Sequence, residues 1–196
     1  MTLALNIVHD TQQTYRKLVT SMSRPGTIST VIGEIEHPIP CHYATFLTIL
    51  TLLDAEVSFH VISDKQEMSK TISDYTLAKE TSIEVADFII VPNGSNEEAV
   101  VEAMKKCKVG TLEDPQNSAT WIVEQNMISV TGTMTLTGPG IKTETSLHLD
   151  FPPELLEMRN RRVQEFPLGT DMIFTDPVSL ACIPRTTNVS LHGGVK

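Results

Sequence analysis

Two short segments, Ser23-Arg24-Pro25-Gly26-Thr27 and Pro184-Arg185-Thr186-Thr187, set a guanidinium beside hydroxyl groups in a chain with only six arginines. A planar guanidinium grips phosphate or carboxylate through two parallel N–H bonds, and neighbouring threonines supply further donors. Arg24, Thr27, Arg185, Thr186 and Thr187 are therefore candidate anion-binding residues. Each arginine also has a structural use open to it: Arg24 against the last carbonyls of a preceding helix, Arg185 against Asp171 or Glu113. A third segment, Gly138-Pro139-Gly140, is followed by Ile141-Lys142-Thr143, one cation and one hydroxyl. Gly138 and Gly140 let backbone N–H groups approach a ligand, or else simply make a tight turn.

Other chemistries find less support. His37, Cys41 and His42 come nearest to a metal cluster, but Pro38 and Pro40 sit among them and no second ligand group is near. They read as loop residues, and no metal is expected. His9, His60, His148 and His192 stand alone, so no catalytic pairing emerges. Gly138-Pro139-Gly140 matches neither the dinucleotide fingerprint nor the phosphate loop of nucleotide hydrolases. Asp54, Glu56, Glu113 and Asp114 fall at element boundaries and read as turn and cap residues; Trp121 reads as core or interface. The three cysteines are widely spaced, which fits reduced thiols in a cytoplasm.

The elements that must position these segments follow from the apolar pattern. A helix capped by Asp10, with Gln13 completing a capping box, places Tyr15, Leu18, Val19 and Met22 on one face and stops at Arg24-Pro25-Gly26. Thr27 to Ile32 reads as a strand, and Tyr43 to Leu53, apolar around most of its circumference, as a deeply buried helix. Val57, Phe59 and Val61 alternate as in a strand, whereas Ala86 to Val91 is a continuous apolar run, the mark of a strand buried on both faces. Ser95 with Glu98 opens a helix that Gly110 closes; Ser118 to Leu149 reads as a hairpin or meander; Pro152-Pro153 opens another helix. In that helix Arg159, Arg161 and Arg162 lie among glutamates and read as a solvated, ion-paired face. Met172 to Phe174 and Leu180 to Ile183 are the last strands, ahead of a tail containing Gly193-Gly194.

This order predicts one α/β domain over residues 1–196, with three layers: a mixed sheet, Phe88 to Ile90 in a central strand, and helices from both chain halves on its two sides. A content of 40% hydrophobic and 20% charged residues suits a soluble globular chain, and the net charge of −9 argues against nucleic acid as a partner. The start, Met1-Thr2-Leu3-Ala4-Leu5-Asn6, lacks the basic flank of a secretory signal, and Tyr43 to Leu53 is too short to cross a bilayer, so a cytoplasmic location away from membranes is expected.

Taken together, Ser23 to Thr27, Leu52 to Asp54, Gly110 to Pro115, Leu136 to Ile141, Phe166 to Asp171 and Ile183 to Thr187 resemble the PhnH family of the bacterial carbon–phosphorus lyase core complex. The resemblance spans about residues 10 to 188, and its strength lies in the order and coverage of the segments. It implies a homodimeric α/β subunit similar in fold to pyridoxal-phosphate-dependent transferases but without that cofactor, working with PhnG, PhnI and PhnJ partners. The implied complex makes α-D-ribose 1-methylphosphonate 5-triphosphate from ATP and methylphosphonate with displacement of adenine. Nucleosidase-type chemistry is associated with PhnI, and the later radical cleavage, which needs an iron–sulfur cluster, with PhnJ. The family carries no motif that identifies a nucleophile, so the implied role is binding and assembly, with Arg24 and Arg185 expected near a shared polar pocket or subunit boundary. Two alternatives belong to other classes. One is a freestanding phosphate-, phosphonate- or nucleotide-binding protein; the other is an active pyridoxal-phosphate transferase using Lys142.

Overall fold

A computed structural model of the chain describes residues 6–33, 39–63, 66–150 and 152–191. Met1 to Leu5, His37, Pro38, His192 and Gly193-Gly194 lie outside the described residues. The first helix, α1, runs Ile7–Ser23, starting a turn earlier than its Asp10 cap reading. Asn6 is the cap: its Oδ1 accepts from His9 N at 3.1 Å, while Asp10 Oδ2 accepts from Asn6 N at 2.9 Å. Between them the two side chains satisfy the amides of His9 and Asn6, which displaces the cap from Asp10 to Asn6. Gln13, expected to complete the box, reaches His9 instead at 2.6 Å.

After α1 come β1 (Ser29–Thr30), α2 (Tyr43–Leu52), β2 (Ser58–Val61), α3 (Gln66–Thr76), β3 (Lys79–Glu80) and β4 (Phe88–Val91). The strand expected over Thr27 to Ile32 shrinks to two residues because only β9 (Ser179–Ile183) pairs with it, at the sheet's edge. The apolar circumference of α2 is matched by burial of every residue from Ala44 to Ile49. Helix α3 escapes the sequence reading: it buries Met68, Ile72 and Thr76, a sparse stripe at i, i+4 and i+8 in a polar segment.

Next are α4 (Glu97–Lys106), β5 (Thr120–Glu124), β6 (Ser129–Thr137), β7 (Thr145–His148), α5 (Pro153–Arg162), β8 (Asp171–Thr175), then β9 and β10 (Asn188–Leu191). Asn96, not Ser95, caps α4, its Oδ1 accepting from Ala99 N at 3.1 Å. Ser95 is diverted because its hydroxyl donates to the carbonyls of Ile62 and Pro92. That helix ends at Lys106, ahead of Gly110.

Seven strands form a mixed sheet in the order β1-β9-β8-β5-β4-β2-β3, where β3, β2, β4, β5 and β8 are parallel and β9 runs against β8. A separate antiparallel sheet has the order β10-β6-β7. The expected meander over Ser118 to Leu149 thus divides. Its first run, with Trp121, Ile122 and Val123 all buried, needs cover on both faces and joins the central sheet; the remainder makes the hairpin. Consecutive strand residues feed opposite cores. Phe59, Ile90 and Ile122 pack beneath α1, α2 and α3 with Leu18, Leu47 and Ile72. Ile89 and Trp121 pack with Met104 of α4, Leu155 of α5 and Leu136 of the small sheet. Full burial of each such side chain is worth roughly 1.5–3 kcal/mol, enough to make the two cores specify the strand register.

The crossovers fix where a cleft forms. From β2 the chain crosses through α3 to β3 on one side, and from β4 through α4 to β5 on the other. Strand order therefore reverses between β2 and β4, and a doubly wound sheet opens a crevice outside the carboxyl ends of its strands at such a point.

Candidate functional site

The three sequence-selected segments meet at the amino-terminal edge of the parallel strands. A Cβ added to Gly140 would lie 2.2 Å from the Ser23 carbonyl oxygen, and one added to Gly138 would lie 2.9 Å from that of Thr186. Only glycine permits this approach, since both residues also have positive φ. Beneath the corner Arg159 is fully buried and donates to the carbonyls of Thr187 at 2.8 Å and Pro184 at 2.6 Å. Burial brings its pKa down to about 10. The solvated arginine face expected on α5 therefore needs correction: Arg159 and Arg162 turn inward to satisfy loop carbonyls, Arg162 those of Lys105 and Cys107. Arg161 stays outside, 3.6 Å from Glu157.

Within the corner, Arg185 and Arg24 have different surroundings. Arg185 is held to Asp171, with Nη2 2.6 Å from Oδ2 and Nε 3.2 Å from the same oxygen; Nη2 also reaches Ser118 Oγ at 2.6 Å and Nη1 the Pro115 carbonyl at 2.6 Å. Of its two structural partners weighed from sequence, Asp171 is the one engaged. Arg24 is exposed, and its side chain has no hydrogen bond or ion pair among the described residues. The Arg24 carbonyl accepts from Thr27 N at 3.1 Å, closing a turn, and Thr187 N likewise donates to Pro184 O at 3.0 Å. Thr186 is half-buried, while Thr187 is fully buried with no hydrogen-bond partner for Oγ1. The backbones of the three segments converge. A hollow of about 530 Å³ on the same edge is mainly apolar: Tyr15, Leu18, Val19, Met22 and Ile173 wall it, with Asp171.

Lys142 is exposed in the β6–β7 connection. Pairing of Ser129 with His148 at one end of the hairpin and Leu136 with Thr145 at the other sets it far from Asp150 and the strand carboxyl ends. A lysine-bound pyridoxal group needs an enclosing pocket and a partner for its ring nitrogen. The surroundings of Lys142 do not fit that group.

Sequence reasoning missed the opposite edge. Glu124, last residue of β5 and 6% exposed, accepts from His42 N at 2.6 Å and Thr45 Oγ1 at 2.8 Å through Oε1, and from Asn93 N at 3.0 Å through Oε2. His42 is the N-cap residue of α2, so the carboxylate faces the positive end of that helix. His42 Nδ1 lies 3.5 Å from Oε1. An imidazole beside a carboxylate is the orienting half of a general-base device, but the thiol next to it is unsuited to attack: burial and the Glu124 charge push Cys41 up to about 12. Thr45 is also bonded to Thr175 Oγ1, at 2.9 Å. The arrangement holds structure and offers acceptors. Beside it a crevice of about 190 Å³ is lined by Asn93, Ser95, Glu97, Gln125, Asp150 and Leu155, among others. The sequence did carry a signal, an acidic and an amide residue ending the apolar run Trp121-Ile122-Val123-Glu124-Gln125. Among the described residues no group of three or more His, Cys, Asp or Glu is placed to hold a metal, and no helix is long and apolar enough to cross a membrane.

Comparison with known proteins agrees with the family resemblance. The pattern of the family described as bacterial phosphonate metabolism protein (PhnH) matches residues 4–190. A putative C-P lyase subunit protein, HtxG, of Stutzerimonas stutzeri is 27% identical over 187 residues, covering 93% of this chain and 87% of the relative. The α-D-ribose 1-methylphosphonate 5-triphosphate synthase subunit PhnH of Rhizobium meliloti (strain 1021) is 28% identical over 187 residues, covering 93% and 91%. All of the described helices and, but for Leu191 at the end of β10, all of the described strands fall within that match, and the chain belongs to the PhnH family of phosphonate metabolism proteins.

Proposed function

We propose that this chain is the PhnH subunit of a synthase producing α-D-ribose 1-methylphosphonate 5-triphosphate, in which it binds and assembles rather than carrying the chemistry itself. The observation that carries the reading is the family match over residues 4–190. Two structural features support it. Among the described residues the His42–Glu124 pair has a suppressed thiol and a bonded hydroxyl beside it, and Arg185 has its nitrogens occupied by Asp171, Ser118 and Pro115. The partners in this reading are PhnG, PhnI and PhnJ, in the cytoplasm, with a second copy of the chain. The apolar hollow along α1, where Tyr15 and Val19 are 56% and 49% exposed, gives such a homodimer an apolar surface to cover. Residues 1–196 act as one unit in this reading, with a fold of the pyridoxal-phosphate transferase kind used without the cofactor. Co-expression of the tagged chain with PhnG, PhnI and PhnJ is the test. Stable co-elution through size exclusion is expected; repeated isolation of the chain alone, with all partners soluble and in excess, overturns the reading.

A second reading, a phosphate-, phosphonate- or nucleotide-binding protein that acts alone, is favoured by one observation: Arg24 is exposed, with no side-chain partner among the described residues, in the corner that also holds Thr27, Gly138, Gly140, Thr186 and Thr187. In it Arg24 and the threonines meet the anion, the glycines admit it to the backbone, and Arg185 positions the loop through Asp171.

A further inference from the structure

The crevice beside Glu124 meets a second, wider hollow at Glu97 and Pro152, where the first turns of α4 and α5 lie side by side. Glu97, Glu98, Glu102, Glu124, Asp150 and Glu154 line the two, and among the described residues no Lys, Arg or His does. Acidic residues in the first turn of α4 favour that helix, so Glu97 and Glu98 have a structural reason to be there. Glu102 is already paired within α4, its Oε1 2.5 Å from Lys105 Nζ, but helix stability does not account for Asp150, which lies outside both helices. An independent observation comes from the floor. Gln125 is 4% exposed and lines the crevice, yet among the described residues its Oε1 has no hydrogen-bond partner, while its Nε2 donates to the Glu124 carbonyl at 3.3 Å. A buried amide oxygen left unpaired in this way costs free energy that an incoming donor would recover. Val100, Val101 and Leu155 add apolar walls for an aliphatic stem.

The geometry points to the α4–α5 groove as the docking site for a basic segment of a partner subunit, with an arginine entering the crevice toward Gln125 and Asp150 and further cations lying along Glu98 and Glu154. Arginine fits better than lysine because its fork carries five donors in one plane, while the groove supplies acceptors on several sides. Both the net charge of −9 and the groove's acidic lining favour a basic partner. This inference rests on the reading of the chain as a subunit of an assembly.

The test uses the full-length, ¹⁵N-labelled chain and a capped hexapeptide holding two arginines flanked by leucines, with a citrulline-substituted peptide as its neutral match. Addition of the arginine peptide is expected to shift the Gln125 side-chain amide and the backbone amides of Glu97 and Val100, and binding should weaken as salt is raised. Citrulline substitution, or the double change Glu97→Gln with Asp150→Asn, should weaken binding about tenfold or more, the equivalent of at least one charge-assisted hydrogen bond. Both changed residues are exposed, and melting temperature checks that the fold persists. A control pair elsewhere on the surface, Glu113→Gln with Glu144→Gln, should leave affinity unchanged. The proposal is overturned if millimolar peptide shifts nothing, if citrulline binds equally, if the control pair matters as much, or if spermidine binds as tightly as the peptide. Assembly with PhnG, PhnI and PhnJ supplies the other arm. Wild type assembling while the Glu97→Gln/Asp150→Asn chain does not supports the groove, and equal assembly overturns it. If wild type itself fails to assemble, the subunit reading falls and the peptide results alone decide the groove.

Discussion

At the amino-terminal ends of the parallel strands Asp171 meets Arg185 at 2.6 Å and Asp87 meets Lys108 at 2.5 Å, whereas at the carboxyl ends Glu124 accepts from His42 N, Asn93 N and the Thr45 hydroxyl, and the nearby Asp150 has the Asn126 amide at 3.4 Å and His148 at 3.9 Å. The contrast extends to the carboxyl groups themselves. Burial of Asp87 works to raise its pKa, but hydrogen bonds from Lys108 and Ser58 and the charge of Lys108 prevail and hold it below the usual range. At the other edge, among the described residues, Gln125 keeps an unpaired oxygen and the three carboxylates that line the crevice have no Lys or Arg lining it beside them. The first edge uses opposite charges to pin loops together; the second leaves acceptors whose natural complement lies outside the chain. Sequence inspection is drawn to arginine beside threonine and so to the first edge, although a charge already matched internally has less to offer a ligand.

The largest test of this contrast is Arg185→Ala. It strips Asp171 of its partner and leaves Ser118 and the Pro115 carbonyl without donors, and breaking such a largely buried pair costs about 3–5 kcal/mol. For a chain of this size the melting temperature should fall by roughly 6–20 °C, measurable by calorimetry or circular dichroism. Arg185→Lys keeps the charge but loses the fork, and should fall between. A drop of no more than a degree or two in the alanine variant would mean that this edge is not internally locked.

Next in size is Glu124→Ala. Three donors, His42 N, Asn93 N and the Thr45 hydroxyl, would lose their acceptor inside the protein, at a cost of about 2–3 kcal/mol. Glu124→Gln should recover part of the loss, because one oxygen can still serve His42 and Thr45 while the new amide faces the Asn93 N–H. Equal destabilisation by Ala and Gln would show that the negative charge against the α2 terminus matters more than the hydrogen bonds.

How much of this was legible in the chain follows from the physics of each element. Continuous apolar runs such as Phe88 to Val91, and the all-round apolar surface of α2, announce burial directly, and both stand as expected. Helix α3 was hidden because its buried stripe is only Met68, Ile72 and Thr76 in a polar segment. Cap positions slipped by one residue at Asn96 and by a turn at Asn6, since neighbouring polar residues compete for the same amides and only the fold decides among them. The convergence of Ser23 to Thr27, Gly138 to Gly140 and Pro184 to Thr187 was foreshadowed by their glycines and arginines. Which guanidinium would be free was not, because Arg185 and Asp171 are brought together by the pairing of β8 with β9, and Arg159 is buried by the docking of α5 on β10 and its preceding loop. Glu124 was unreadable for the same reason: its partners His42 and Asn93 come from distant parts of the chain.

Arg24→Ala should have the smallest effect on stability and so gives the cleanest separation of structure from binding at the corner. The side chain is exposed with no partner among the described residues, so its removal should change stability by less than about 0.5 kcal/mol, and melting by no more than about 2 °C. Its neighbours should keep their places, because the turn is closed through the Arg24 carbonyl and Thr27 N and the glycine contact runs through Ser23. Calorimetric titration with methylphosphonate and with ATP then reads the binding role by itself. If the corner holds an anion, the loss of one guanidinium should weaken it about tenfold or more, with Arg24→Lys intermediate. Unchanged affinity would move any anion site away from this corner, and absence of binding by the wild type would remove the freestanding reading while leaving the subunit reading to the co-elution test. A variant that unfolds would instead place Arg24 among the structural arginines with Arg159 and Arg185, and the contrast between a locked edge and an open one would then hold at Arg24 as well.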